Sequence, residues 1–229
     1  MNITAPQSAT TFELGVLGAG RMGVRIADMF ARAGRRVVLG SRDPLRARAM
    51  LEARGAAGLV HAGSYADAFA AGAVLPAIFL RDGLVEMLEA HAQRLAGKLL
   101  IDISNPFNHD YSDYILPWDA SSAELLQARL PQARVVGAFK NVYSEVFDAP
   151  RFGEAYSDVL VVGDDAAAKS EFLALAEGTP FRYLDAGPLV FARTVERLTL
   201  ITGRLGRQLG SYPRMNWRLL GEARPAEAA

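Results

Sequence analysis

At 229 residues, 51% of them apolar and 22% charged, the chain can bury a substantial core, enough for one large α/β domain with a small appendage. Its 25 acidic and 25 basic residues cancel, which excludes a whole-chain field that would draw a nucleic-acid backbone or an anionic membrane. The absence of cysteine excludes disulfides, thiolate nucleophiles and cysteine-based zinc sites. His61, His91 and His109 lie far apart without ligand spacing, so no metal is expected. Met1 to Thr11 is polar and lacks the order of a signal peptide, and no apolar run approaches membrane-spanning length. The expectation is a cytoplasmic protein with no nucleic-acid or membrane partner.

Phe12 to Leu17 reads as a short buried strand, and from Met22 the apolar residues take helical spacing through Ile26, Met29, Phe30 and Ala33, ending at Gly34. Arg36 to Leu39 is a second strand; Asp43 and Pro44 then read as the cap and first position of a helix to Gly55. A strand near Leu59 to His61, a short helix around Tyr65 to Ala71 and a strand near Ala73 to Phe79 follow. Pro76 removes a ladder donor from that last strand, which is therefore bulged or shorter than it looks. A helix from Leu84 to Leu95, ending at Gly97, leads to an apolar strand at Leu99 to Ile103.

Two roles are open to the aromatic and polar segment Phe107 to Ala120: a lid over a crevice, or a surface loop. Ser121-Ser122-Ala123-Glu124 matches a capping box and opens a helix to Leu130, followed by a strand at Arg134 to Phe139. Alternation of this kind predicts a doubly wound parallel Rossmann sheet over 12–143. A small C-terminal α/β unit over 144–222 carries a strand at Val159 to Val162, a helix from Ala166 to Glu177 and a strand at Phe181 to Leu184. It closes with a helix from Leu189 to about Leu209. On that helix Val195, Leu198, Ile201, Leu205 and Leu209 mark an apolar stripe, which normally packs against its own domain; the other use of such a stripe is a homodimer interface. The tails 1–11 and 223–229 are expected to be disordered.

The chemistry starts at the first strand's end, in Gly18-Ala19-Gly20-Arg21-Met22-Gly23. Three glycines at this spacing are weak evidence alone, but here they stand between a strand and a helix. Gly18 can make the tight turn, Gly20 lets backbone approach a pyrophosphate, and Gly23 lets the helix pack close to the sheet. The pyrophosphate would sit on free backbone amides at the helix N-terminus. The second strand ends in Gly40-Ser41-Arg42, where an NAD enzyme usually carries an acidic residue for the ribose hydroxyls. The Ser41 hydroxyl and the Arg42 guanidinium suit a 2′-phosphate, so the expected cofactor is NADP(H). Arg46, one turn further, either adds charge or is an ordinary surface arginine. Asp43 could take a ribose role, although its place before Pro44 suits a helix cap better.

These residues resemble the NADP oxidoreductase family typified by factor-420-dependent NADP reductase, whose Rossmann domain is also similar to that of membrane ferric reductases. The resemblance runs from Phe12 to Leu220. It consists of the glycine turn, Gly40-Ser41-Arg42, Ile101-Asp102-Ile103-Ser104-Asn105-Pro106, Leu130-Pro131 with Val135 to Phe139, Gly163-Asp164-Asp165, and Leu184-Asp185-Ala186-Gly187-Pro188-Leu189 leading into Ala192-Arg193 and Glu196. It implies a reductase in which nicotinamide passes hydride directly to a second ring or a small acceptor, an arrangement that needs alignment rather than a catalytic triad. It also implies that Ala77 to Leu80, with Ile78 and Phe79, and the Asn105-Pro106 turn border the nicotinamide, while the segment after Val136, including Ala138, meets the stacked ring.

Two departures from the family stand out. Ala77-Ile78-Phe79, with proline displaced to Pro76, replaces an apolar run ending in Ala-Val-Pro, and Phe139-Lys140-Asn141 replaces Phe-Asn-Thr. Lys140 is thus the candidate catalytic residue, a cation or proton donor beside the acceptor ring; its other reading is a solvated lysine at a strand end. Tyr111, Tyr114, His109 and Tyr143 are weaker candidate donors. The expected function is an NADP(H)-dependent oxidoreductase acting on the deazaflavin factor 420 or on an imine, enone or carbonyl compound. A non-catalytic NADP(H) sensor or scaffold is the alternative.

Overall fold

In the computed structural model, residues 12–221 are described, so the expectations for 1–11 and 223–229 lie outside the described residues. The apolar run Leu14–Leu17 is strand β1, buried along its length, and helix α1 covers Arg21–Arg32. Val24, Ile26, Ala27 and Phe30 face the sheet from α1, and the chain turns out of the helix at Gly34, whose φ of 85° lies in the left-handed region that favours glycine. Strand β2 is Val37–Gly40; helix α2, Pro44–Glu52, begins with proline at its first turn and with Asp43 accepting from Arg46 N at 3.0 Å. Strand β3, Val60–Gly63, leads into helix α3, Tyr65–Ala70, which Ser64 and Asp67 close as a reciprocal capping box.

Strand β4, Ala73–Pro76, stops at the proline. Its pairing with strand β5, Leu99–Asp102, extends only over Ala73 and Val74, so Pro76 withholds no amide from that ladder. The helix expected over 84–95 is broken at Ala90-His91 into α4, Leu84–Glu89, and α5, Ala92–Leu95. His91 there stacks on Phe69 with ring centroids 4.2 Å apart. Helix α6, Ser122–Arg129, and strand β6, Arg134–Gly137, complete the first unit.

All six strands are parallel, in the order β3-β2-β1-β4-β5-β6. This is a doubly wound Rossmann sheet, and its order reverses between β1 and β4. Side chains alternate between two apolar layers: Val16, Leu39, Leu75, Ile101 and Val136 lie in one, and Leu17, Val38, Val74, Leu100 and Val135 in the other.

Beyond β6 the chain makes an unexpected hairpin, β7 (Arg151–Phe152) and β8 (Ala155–Tyr156), turning at Gly153 with φ 60°. Strand β9, Asp158–Val161, helix α7, Ala166–Ala176, and strand β10, Arg182–Asp185, follow, with β9 and β10 parallel. A single antiparallel bridge between Gly137 and Val162 joins β6 to the end of β9. Phe172 and Phe181 share one layer with Phe30 and Phe139.

Helix α8, Ala192–Gln208, corrects the expectation for its apolar stripe. Val195 is buried, but Ile201, Leu205 and Leu209 are exposed, and the inward face is Ala192, Glu196, Thr199, Thr202, Gly203 and Gly206. Small residues win this face because bulky groups approach it. A Cβ on Gly203 would stand 2.6 Å from Tyr143 Oη, and one on Gly206 would stand 2.7 Å from Met215 Sδ.

Candidate functional site

Parallel strands bring all their C-terminal ends to one edge. Five of them deliver there the glycine turn after β1, Ser41-Arg42 after β2, Ala77-Ile78-Phe79 after β4, Ser104-Asn105-Pro106 after β5 and Ala138-Phe139-Lys140 after β6. The crevice of such a sheet opens where the strand order reverses, and here the glycine turn and Ala77-Ile78 flank that point.

Gly18 has φ 102°, and a Cβ on Gly23 would lie 1.9 Å from Gly18 O; the turn therefore closes only with glycine at both positions. A Cβ on Gly20, in contrast, would meet nothing within 4 Å. Val24 N donates to Gly20 O at 3.1 Å, which leaves the amides of Arg21, Met22 and Gly23 ahead of the helical ladder. No acidic residue occupies the first turn of α1. The open side of this turn is thus a cradle of backbone donors with the positive end of a helix behind it, and it fits a pyrophosphate.

At the end of β2, Ser41 N donates to Gly63 O at 2.9 Å and Ser41 Oγ accepts from Asp43 N at 3.1 Å, which leaves the serine hydroxyl hydrogen free to donate. Asp43 is occupied as the cap of α2. Arg21, Arg42 and Arg46 are exposed, and none of their guanidinium groups has a partner among the described residues. Arg42 follows that serine directly and Arg46 lies in the first turn of α2, and cations so placed with a serine hydroxyl fit a further phosphate.

On the opposite flank, Ile78 leans on the glycine turn: its Cγ1 would be 3.1 Å from a Cβ on Gly18. Phe79 is 36% exposed and meets the Tyr111 ring edge-on at a centroid distance of 5.9 Å. The Arg81 guanidinium lies 4.2 Å over Phe79 and 4.8 Å over Tyr111, and donates to Phe107 O, Asn108 O and Tyr111 Oη at 2.9, 2.8 and 3.0 Å. From the other side Arg197 on α8 donates to Leu116 O and Pro117 O and covers the Trp118 ring at 4.3 Å. The segment 107–120 is thus held by one arginine from each flank. Tyr111 carries it through φ 60°, a strained value for a tyrosine. His109 is exposed. Asn105 donates its Nδ2 to Lys140 O at 2.7 Å, while its Oδ1 is enclosed without a partner.

Lys140 does not stand as expected. It has no exposed surface, and the three hydrogens of Nζ are shared among four acceptors, Asp102 Oδ2 and Ser104 O at 2.6 Å each, Glu196 Oε1 at 2.9 Å and Ser122 Oγ at 3.0 Å. An ammonium enclosed by four acceptors cannot reach a substrate ring, which removes both the catalytic and the solvated reading. Phe139, at φ 56°, reverses the chain so that Lys140 turns inward. Burial pulls the Lys140 pKa down, but Asp102 and Glu196 outweigh it and hold the ammonium above the ordinary lysine range. Glu196 is pushed up by burial first, with Lys140 opposing and Asp102 adding. Ala138 is also fully buried and presents no surface to the crevice.

The other tyrosines serve packing. Tyr114 donates to Glu196 O and meets Thr199 Oγ1, and burial pushes its hydroxyl well above the ordinary range. Tyr143 donates to Thr199 O at 2.7 Å and burial pushes it up to about 12. Sequence reasoning missed the Asp102, Ser104, Ser122 and Glu196 partners of Lys140. Their signal was a charged residue set inside an apolar run, as in Leu99-Leu100-Ile101-Asp102. It also missed Arg81 and Arg197, which nothing in local spacing marks.

Residues 13–106 match the family described as NADP oxidoreductase, coenzyme F420-dependent. Metalloreductase STEAP3 of Rattus norvegicus is 31% identical over 189 residues, which cover 82% of this chain and 36% of that protein. The chain thus spans about a third of that relative's length. F420-dependent NADP reductase of Methanocaldococcus jannaschii is 27% identical over 194 residues, 80% of this chain and 86% of that one. A solved Arthrobacter sp. FB24 protein, proposed to be an F420-dependent NADP reductase, superimposes with a TM-score of 0.77 at 29% identity, covering 92% of this chain and all of its own.

Proposed function

We propose, from the match of residues 13–106 to the model of the coenzyme F420-dependent NADP oxidoreductase family, that this chain is an NADP(H)-dependent oxidoreductase. It passes hydride between the nicotinamide and either a deazaflavin or a small imine, enone or carbonyl acceptor. The carrying observation is the glycine turn, closed at Gly18 and Gly23 yet open above Gly20, with Arg21, Arg42 and Arg46 exposed and without partners among the described residues.

The amides of Arg21, Met22 and Gly23 would hold the pyrophosphate, and Ser41 with Arg42 would hold the 2′-phosphate. Bound there, NADP(H) supplies the hydride chemistry itself. Ile78 and Phe79 would line the nicotinamide flank, Asn105 and Pro106 would form its floor, and segment 107–120 would exclude water. We take 12–143 as the nucleotide-binding domain and 144–222 as an α/β unit that braces it.

Purified protein should bind NADPH and oxidise it with factor 420 or with a panel of cyclic imines, enones and aldehydes. Binding without oxidation by any of these would make the protein a sensor. Arg42→Ala should weaken NADPH by about 1.5–3 kcal/mol, the range for hydrogen bonds to charged groups, and leave NADH nearly unchanged. Equal weakening of both nucleotides would remove the 2′-phosphate assignment.

A further inference from the structure

We propose that Glu196 carries its proton in the native protein, and that through Lys140 it is the positioning residue by which α8 fixes the turn Ser104-Asn105-Pro106. The positioning half rests on the NADP(H) reading; the proton does not.

Lys140, Asp102 and Glu196 are 0%, 0% and 1% exposed. One ammonium against two carboxylates leaves a net negative charge in the interior unless one acid is neutral. The hydrogens point to the same conclusion. Ser122 Oγ has a single hydrogen, yet it stands 2.7 Å from Ser104 O and 2.8 Å from Glu196 Oε1. If it donates to Ser104, the short approach to Glu196 needs a hydrogen from the carboxyl itself. Asp102 is the carboxyl better supplied with donors. Its Oδ1 accepts from Ser104 N at 2.8 Å and Ser104 Oγ at 2.6 Å, and its Oδ2 from Lys140 at 2.6 Å.

From α6, Ser122 N and Ala123 N approach Glu196 at 3.1 and 3.4 Å. The α6 acid Glu124 is paired with Arg193, and Arg197 lies over the Trp118 and Tyr114 rings. Tyr114 reaches the Glu196 carbonyl and not its carboxyl. Burial, the largest influence, and Asp102 favour the acid, while Lys140 and the Ser122 hydroxyl favour ionisation.

The positioning follows from both ends of Lys140. Its Nζ, shared with Glu196, holds Ser104 O at 2.6 Å, and its own carbonyl holds Asn105 Nδ2 at 2.7 Å. Loss of Glu196 frees Nζ to relax, and the turn that would form the nicotinamide floor relaxes with it.

The folded chain then keeps a proton that the unfolded chain surrenders above the ordinary glutamate range, so stability falls as pH rises from that range toward the folded pKa. The neutral isostere Glu196→Gln should therefore fold, lack this decline in urea unfolding between pH 5 and pH 9, and lose the infrared carbonyl band of a protonated carboxyl that the parent shows. Glu196→Ala should bind NADP+ at least tenfold more weakly than the parent but 2′-phospho-ADP-ribose, which lacks the nicotinamide, within twofold; Glu196→Gln should restore NADP+ affinity. A parental decline that persists in Glu196→Gln, or a parent without the carbonyl band, overturns the proton. Equal effects of Glu196→Ala on both nucleotides, or none, overturn the positioning role. Failure of the parent to bind either nucleotide sinks the NADP(H) reading with the positioning half, and leaves the pH and infrared results to decide the proton.

Discussion

A methyl group on Gly20 meets open space, whereas the same group on Gly23 lands 1.9 Å from a backbone oxygen. The two positions of one motif thus differ: Gly23 closes the chain, and Gly20 leaves the open space that the proposed pyrophosphate would take. Gly20→Ala should keep the parental melting temperature while weakening NADPH at least tenfold, because its Cβ would project into the space reserved for the pyrophosphate. A variant that binds NADPH normally would show that the phosphates lie elsewhere. At this scale the geometry of the glycine turn was legible, because it resides in adjacent residues. Lys140 was not. Its partners lie 38 and 56 residues away, and local spacing cannot distinguish a lysine aimed at a crevice from one aimed at Asp102 and Glu196.

Elements fixed by local chemistry were also legible. Asp43 before Pro44 and Ser121 before Glu124 set helix starts where expected, and Pro76 ended β4. The face of α8 was not legible, since an apolar stripe gives the period of a helix but not the side on which bulky neighbours sit; Tyr143 and Met215 reserve the inner side for glycine and threonine. Segment 107–120 shows what element-level packing adds, because two arginines from different flanks hold it. Arg81→Ala removes the bonds to Phe107, Asn108 and Tyr111 together. Limited proteolysis should then cut within 107–120 several-fold faster at an unchanged global unfolding midpoint. An unchanged cutting rate would mean that the α8 contacts of Arg197 and Tyr114 suffice.

At the scale of the whole molecule the sheet was readable because strand and helix alternate along the chain, which leaves few topologies. The join between β6 and β9 was not, since one bridge at Gly137 leaves no pattern in sequence. The buried Lys140 has one further consequence, for reagents rather than ligands. Only three lysines occur in 229 residues. Lys98 is bonded to two carbonyls and Lys169 to Asp185 near the surface, so both open by local fluctuation, whereas Lys140 is exposed only when α8 and the sheet part. Amine acylation followed by mass spectrometry should modify Lys98 and Lys169 early and Lys140 at the rate of global opening. The protein thus carries a native chemical clock, whose ticking in Glu196→Gln and Glu196→Ala would time the departure of helix α8.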